Sequence, residues 1–312
     1  MLTIITISLI TSGICSFLAN WGLRKSGVDF FGKMNVALNG RANTDIILIG
    51  SSRTLVQLDP RIIDSFTAMH SYNYGLNAAT IKTCYNFIAI SLANEPDVKM
   101  VVLNIDYNMF DPAQDLYKDP YYFAYRDNTS GIVSIQSRTD AFIHDLRIFD
   151  IAMYDDKVKY AAIDGFLRPG KIAEGIYKGY FPNRDMHFAK PKLPNTPTNT
   201  PFTEEGMKLL NRIIALCKEK KKKLVMIMAP YALAFYPGKY SSNYADIIAK
   251  IKVKAAQQNI SFLDYTTVPF ATDTAFFYNS NHLNITGAQV YSKLVALDLQ
   301  KLLQDTMNDT GK

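Results

Sequence analysis

Cysteine and histidine are both scarce in this chain, and each scarcity removes a class of protein. Three cysteines in 312 residues, Cys15, Cys84 and Cys217, are an odd number without metal-ligand spacing. Neither a disulfide framework nor a zinc site is therefore expected. Among the four histidines, His70, His144, His187 and His282, no pair has helical ligand spacing, which argues against a metal centre built on a helix. Excess charge is also small, since 34 Lys and Arg against 28 Asp and Glu leave +6. Much of it sits in the run Lys218 to Lys223, where no aromatic residue is interleaved to stack on bases. That run reads as a solvated helix end, and no nucleic-acid partner is expected. What the chain does have is apolar content, 48% hydrophobic and 12% aromatic, enough to bury a large core without staples.

Charge is missing altogether from Leu2 to Leu23 (LTIITISLITSGICSFLANWGL), and about 20 apolar residues are what an α-helix needs to cross a bilayer. Trp21, Arg24 and Lys25 would anchor its end at the interface. Residues 1–25 are therefore expected to form a membrane anchor or signal segment, with several Ser and Thr making it less oily than a usual span. A buried core helix is the third reading. Bulky Ile14 before Cys15 makes a poor lipoprotein cleavage site, so lipidation is not expected. The basic pair follows the span, which taken literally puts the body in the cytoplasm; a basic start upstream would reverse that.

Residues 26–44 read as a linker, polar from Lys33 to Thr44. The apolar run Asp45 to Gly50 (DIILIG) then looks like a strand buried on both faces, and similar runs recur at Lys99 to Leu103 and Leu224 to Ala229. Ser71 to Tyr74 and Ile260 to Leu263 are weaker candidates. Between them lie helical patterns. One begins at Thr203, with Glu204 and Glu205 in its first turn and Met207, Leu210, Ile213, Ile214 and Cys217 on one face. Another covers about Asn243 to Gln258. The last is expected to start at Thr286, with Gln289 completing a capping box and Val290, Leu294 and Leu297 pointing inward. Alternation of this kind predicts a parallel, three-layer α/β domain of about five strands over 45–312. The interval 109–201 breaks the rhythm and reads as a partly helical insertion over one edge of the sheet. Within it, Tyr117 to Tyr125 (YKDPYYFAY) suits either sugar stacking or packing of the insertion, with packing the commoner use of such clusters. Gly165 to Ile172 (GFLRPGKI) nearly spells a phosphate loop, but Ile172 stands where Mg²⁺ needs a hydroxyl and no strand leads in. No cofactor is expected.

Ligands of an open parallel sheet bind beyond the carboxyl ends of its strands. Those ends carry Gly50-Ser51-Ser52-Arg53, Tyr74-Gly75-Leu76-Asn77 and Asn104-Ile105-Asp106-Tyr107-Asn108, and Tyr278 to Asn284 (YNSNHLN) precedes the final helix. A hydroxyl nucleophile needs an imidazole to take its proton, and the carbonyl it attacks needs donors as negative charge develops. Ser52 and His282 meet the first need. The N–H groups of Ser52 and Gly75, with the Asn108 side chain, meet the second. Arg53 would position an anionic polymer or pair with a surface acid.

Gly50-Ser51-Ser52 after the first strand, with His282-Leu283-Asn284 and Gly287-Ala288 near the end, resembles the SGNH (GDSL-type) hydrolase superfamily, especially its membrane-anchored branch acting on cell-surface polymers. The resemblance spans Asp45 to Leu303. It implies a flavodoxin-like α/β/α sandwich, Ser52 as nucleophile, His282 as base, and an oxyanion site from Gly75 and Asn108, with Asn104 or Asn77 as alternatives to Asn108. It further implies an acylated glycan or cell-wall polymer as substrate and a body on the extracytoplasmic side. The third triad position departs from the family, because Asn279 stands where an Asp is usual and Asn281 where many relatives have a second. An amide cannot stabilise imidazolium by charge, and it can hold the wrong tautomer. Against this, Cys-His-Asn sites show that an Asn can orient a base, and Asp273 or Asp264 could supply the carboxylate from elsewhere. Two functions follow as expectations: a serine esterase or O-acyltransferase on a cell-envelope glycan, or a weak or inactive relative that binds a surface polysaccharide or scaffolds its export.

Overall fold

The computed structural model describes residues 1–129 and 147–310; His144 lies outside them. Five strands form one parallel sheet: β1 (Ile46–Ile49), β2 (Ser71–Asn73), β3 (Met100–Asn104), β4 (Lys223–Met228) and β5 (Ser261–Asp264). Their order is β2-β1-β3-β4-β5, with Ile47 beside Tyr72 on one side and Val101 on the other. The expected α/β fold, with helices on both faces, is what the chain adopts.

The apolar runs become strands because both sheet faces are covered. Ile47, Ile49, Val101, Leu103, Met226 and Met228 enter one core, while Ile46, Leu48, Met100, Val102, Val225 and Ile227 enter the other. Two-residue side-chain alternation along each strand produces that division.

The first core is closed by α1 (Leu2–Leu23) at its end, α2 (Asp29–Leu38) and a helix after β2. The stretch read as a linker thus contains α2, which buries Phe30, Phe31, Met34 and Ala37. Phe30, Phe31, Met34 and Ala37 keep helical spacing, but the helix is only ten residues long and its N-cap Val28 makes no side-chain capping bond, so no start signal marks it. Between β1 and β2 come α3 (Ser52–Gln57) and α4 (Pro60–Thr67), and after β2 comes α5 (Ile81–Asn94). The insertion contributes short helical turns and α6 (Asp156–Leu167). Its tyrosines pack rather than await a ligand: Tyr117 stacks on Phe30 at 5.0 Å between centroids, and Tyr121 and Tyr122 meet the same ring edge-on. The segment after α6 covers the outer edge of the sheet, where the Asn73 N–H of β2 donates to the Lys178 carbonyl at 2.9 Å.

Beyond the insertion, α7 (Glu204–Glu219) starts where expected, with Thr203 Oγ1 accepting from the Gly206 N–H at 3.0 Å. Then follow α8 (Tyr244–Gln257) and α9 (Ile285–Thr310). The start of α9 differs by two residues from the capping-box expectation. Asn284 is the cap, its Oδ1 accepting from the Gly287 N–H at 3.0 Å. The buried face is also displaced by about one residue from the expected one: Tyr291, Val295, Ala296 and Leu299 are buried, Val290 is exposed, and Leu294 and Leu297 are half-buried.

Helix α1 is long and apolar enough to span a membrane, and most of its side chains are exposed. Its Ser and Asn residues have a structural use. Ser12 and Ser16 both donate to the Ile148 carbonyl, at 2.5 and 3.1 Å. Asn20 Nδ2 donates to Asp150 at 2.6 Å and Asn20 Oδ1 accepts from the Tyr154 hydroxyl. Residues 12, 16 and 20 fall on one helix face, so the polar stripe fastens α1 to the insertion. One turn further, α1 crosses α6 at backbone contact: a Cβ on Gly22 would strike the Ala162 carbonyl, and one on Gly165 the Gly22 carbonyl.

Candidate active site

Sheet order reverses between β1 and β3, so the chain leaves these neighbours in opposite directions and opens a crevice at their carboxyl ends. Gly50 permits the turn out of β1, since a Cβ there would collide with Thr54 Oγ1. Ser51 caps α3 by accepting from the Arg53 N–H at 3.2 Å. Ser52 is therefore the first helical residue, a position whose N–H has no intrahelical acceptor.

A charged brace lies beneath this turn. Arg53 points inward, 2% exposed, and its Nη1 donates to Asp106 Oδ1 at 2.5 Å. Its Nη2 donates to the carbonyls of Ala229 and Pro230, and the guanidinium lies 3.7 Å over the Tyr231 ring. Ser51 donates to the other oxygen of Asp106. Burial opposes the Arg53 charge, but Tyr231 and Asp106 hold its pKa above the ordinary value. Of the two uses expected for Arg53, pairing with an acid is the one seen, but the acid is buried rather than at the surface.

Ser52 and His282 are brought together across 230 residues, with Oγ 2.7 Å from Nε2. The histidine sits in a tight loop where the Tyr278 N–H donates to the His282 carbonyl at 2.8 Å. Asn279 is directly behind the ring, its Oδ1 3.1 Å from His282 Nδ1. The same Oδ1 accepts the backbone N–H groups of Asn281 at 3.1 Å and His282 at 3.0 Å. Backbone N–H groups only donate, so the amide atom facing them is oxygen; an amide oxygen only accepts, so Nδ1 carries the ring proton. The Nε2 lone pair then faces Ser52, which is the tautomer a general base needs. Burial, followed by the Arg53 guanidinium, pushes the His282 pKa down to about 4. The ring is neutral at neutral pH.

Neither alternative carboxylate lies behind the ring. Asp264 is engaged by Lys252 at 2.6 Å and by Thr266, and Asp273 accepts from the Ala275 N–H at 2.9 Å in an exposed turn. Asn281 turns its carbonyl to Gln57 Nε2 at 2.8 Å, tying α3 to the histidine loop. Gln57 was invisible as a site residue because a lone Gln in a short helix carries no pattern.

The oxyanion candidates separate. Asn108 is exposed and lines a cavity of about 430 Å³ that also contains Ser52, Thr80, Gln114 and Tyr240. Asn104 does not open on it: Asn104 Oδ1 accepts from the Ala229 N–H at 3.2 Å as a buried link between β3 and β4. Gly75 is engaged as well, because its N–H donates to Asn73 Oδ1 at 2.9 Å and its carbonyl accepts from Lys33 Nζ at 2.5 Å. Gly75 is instead needed for packing, since a Cβ there would strike the Leu55 N–H at the back of α3. Ala78, three residues on, lines the cavity with Ser52, has a left-handed backbone with φ of 51°, and its N–H makes no hydrogen bond among the described residues. Only a backbone angle marks it, which sequence does not display. Asn77 beside it is exposed.

No protein-family model and no curated protein matches the sequence. Among solved structures, the chain is similar to one described as "a putative acylhydrolase" from Bacteroides fragilis, with a TM-score of 0.42, 14% sequence identity, and coverage of 89% of this chain and 97% of that one.

Proposed function

We propose that the protein is a serine esterase or O-acyltransferase of SGNH type, acting on acyl groups of a cell-envelope glycan and held at the membrane by α1 with its body on the extracytoplasmic side. The observation that carries the reaction class is the Ser52 Oγ to His282 Nε2 contact of 2.7 Å, backed by an amide oxygen on Nδ1. Ser52 Oγ attacks the acyl carbonyl carbon while its proton passes to Nε2. The C–O bond to the departing alcohol breaks, and that alcohol takes the proton from Nε2. Water or a sugar hydroxyl then attacks the acyl-enzyme with the roles reversed. The Ser52 N–H, the Ala78 N–H and the Asn108 side chain are the donors for the oxyanion, and Gly75 contributes by holding the turn beneath them. Asn279 orients the base without charge, so the imidazolium formed during attack is stabilised less than an Asp would allow.

A fluorophosphonate probe tests this reading: it should label the native chain, and Ser52→Ala should lose all labelling while keeping its thermal transition. Equal labelling of the two would sink it. The second reading, a relative that binds a surface polysaccharide with little or no turnover, is favoured by Asn279 in place of an acid; it predicts glycan binding that survives Ser52→Ala.

A further inference from the structure

We propose that α6, from the insertion, is a membrane-docking element that lays its outer face into the lipid surface beside α1. This rests on the anchoring role given to α1 above. The inner face of α6, Val158, Ala161, Ala162 and Gly165, is buried, and Ala162 and Gly165 meet α1. After an exposed Asp156–Lys159 pair in its first turn, its outer face is apolar: Tyr160, Ile163, Phe166 and Leu167 are between 49% and 69% exposed. A solvated helix has polar residues there, and an apolar outer face marks a contact surface.

The surroundings say what covers it. Phe166 meets Trp21 of α1 edge-on, with centroids 5.1 Å apart, and Phe17, one turn earlier on the same flank as Trp21, is 63% exposed. The strip on α6 therefore runs without a break onto the apolar flank of α1. An upright helix of 22 residues is about 33 Å long, close to the hydrocarbon thickness of a bilayer, which puts Trp21 and the Gly22 crossing near headgroup level. The body does not stand clear of the lipid, because Ser12 and Ser16, deeper along α1 than Trp21, are hydrogen-bonded to the Ile148 carbonyl. The exposed Arg147–Asp127 pair beside Ile148 keeps that side of α1 out of the hydrocarbon, so the lipid meets the Trp21 flank that continues onto α6. A bilayer that takes α1 must meet the surface beside it. Arg24, Lys25, Lys157 and Lys171 are exposed around the strip against Asp155 and Asp156, a basic surplus that suits anionic headgroups.

Trp21 is the sole tryptophan, which makes depth measurable. The native chain and a Trp21→Phe, Ile163→Trp variant would be reconstituted in phosphatidylcholine and phosphatidylglycerol vesicles with bromine near the headgroup end of the acyl chains. Fluorophosphonate labelling at native level certifies the variant as folded. If α6 docks at the expected depth of about 5–10 Å, both tryptophans emit to the blue and brominated lipid roughly halves their intensity, while acrylamide quenches neither strongly. Quenching of Trp21 by lipid with position 163 still open to acrylamide overturns the docking and leaves the anchor intact. A position 163 protected from both quenchers means that protein covers the strip, which also overturns it. If lipid quenches neither tryptophan, the anchor itself is wrong and the docking falls with it.

Discussion

Two buried Arg–Asp pairs organise this molecule, and they do different work. Arg53–Asp106 lies under Ser52 and Arg126–Asp150 lies beside α1, each at 2.5 Å with both partners nearly sealed from solvent. Each carboxylate also receives a neutral donor, Ser51 in one case and Asn20 in the other. They differ in what lies at the far end. Arg53 continues to the carbonyls of Ala229 and Pro230 and so fixes a turn of the sheet. Asp150 continues through Asn20 to a helix that is otherwise mostly apolar. Such pairs add little net stability over an apolar substitute, but removing one partner strands a charge. Each pair holds one arrangement, of the Ser52 turn in the first case and of a helix in the second.

The largest separation between the two regions should come from Asn279→Asp. Restoring a charge behind the ring is expected to raise kcat by up to about 10⁴, the inverse of the loss when a triad Asp becomes Asn. No substitution at the Asp150 cluster should change kcat per folded molecule. An unchanged rate in Asn279→Asp, measured with an activated ester, would mean that the imidazolium is already stabilised by another group.

Next in size are Asp106→Ala and Asp150→Ala. Each should cost about 3–5 kcal/mol in denaturant unfolding, because each leaves a buried guanidinium unpaired. Ser52 labelling of the folded fraction separates them: Asp106→Ala should lose it and Asp150→Ala should keep it. Equal labelling in the two would dissolve the distinction.

The pH profile is subtler. General-base action needs neutral His282, and its pKa is pushed down to about 4; kcat/KM should therefore stay level as pH falls from neutral and drop tenfold per unit only below about 4. Asn279→Asp should move that acid limb upward, since a neighbouring carboxylate favours the charged ring. A native profile that breaks near the ordinary histidine value would contradict the buried, Arg53-facing environment. Smallest of all, Asn284→Ala should cost about 1–3 kcal/mol by removing the α9 cap and the Asn284 donor to the Ala275 carbonyl, whereas Thr286→Ala should be close to neutral.

Much of the framework was legible. Strands β1, β3 and β4 are continuous apolar runs, and Thr203 with two acids after it can scarcely be anything but a helix start. Ser52 and His282 were readable because both stand where the chain leaves or approaches a carboxyl strand end. Several departures come from competition among polar groups for partners. Gly75 was expected as a donor, but its N–H goes to Asn73. Asn279 raised the prospect of the wrong tautomer, but two backbone N–H groups turn its oxygen toward the ring. Ser12, Ser16 and Asn20 merely diluted an apolar run until residues far along the chain supplied their partners.

That distance sets a timetable. Ser16 and the Ile148 carbonyl are 132 positions apart in sequence, so α1 emerges first and its polar stripe waits while the chain that will receive it is made. At ordinary synthesis rates the interval is on the order of 10 s. The helix must keep Ser12, Ser16 and Asn20 available throughout, and the body cannot finish burying Asp150 until the helix returns. Completion of the fold therefore depends on α1, and a protease that clipped it in the interval would leave Asp150 and Tyr154 without their Asn20 partner.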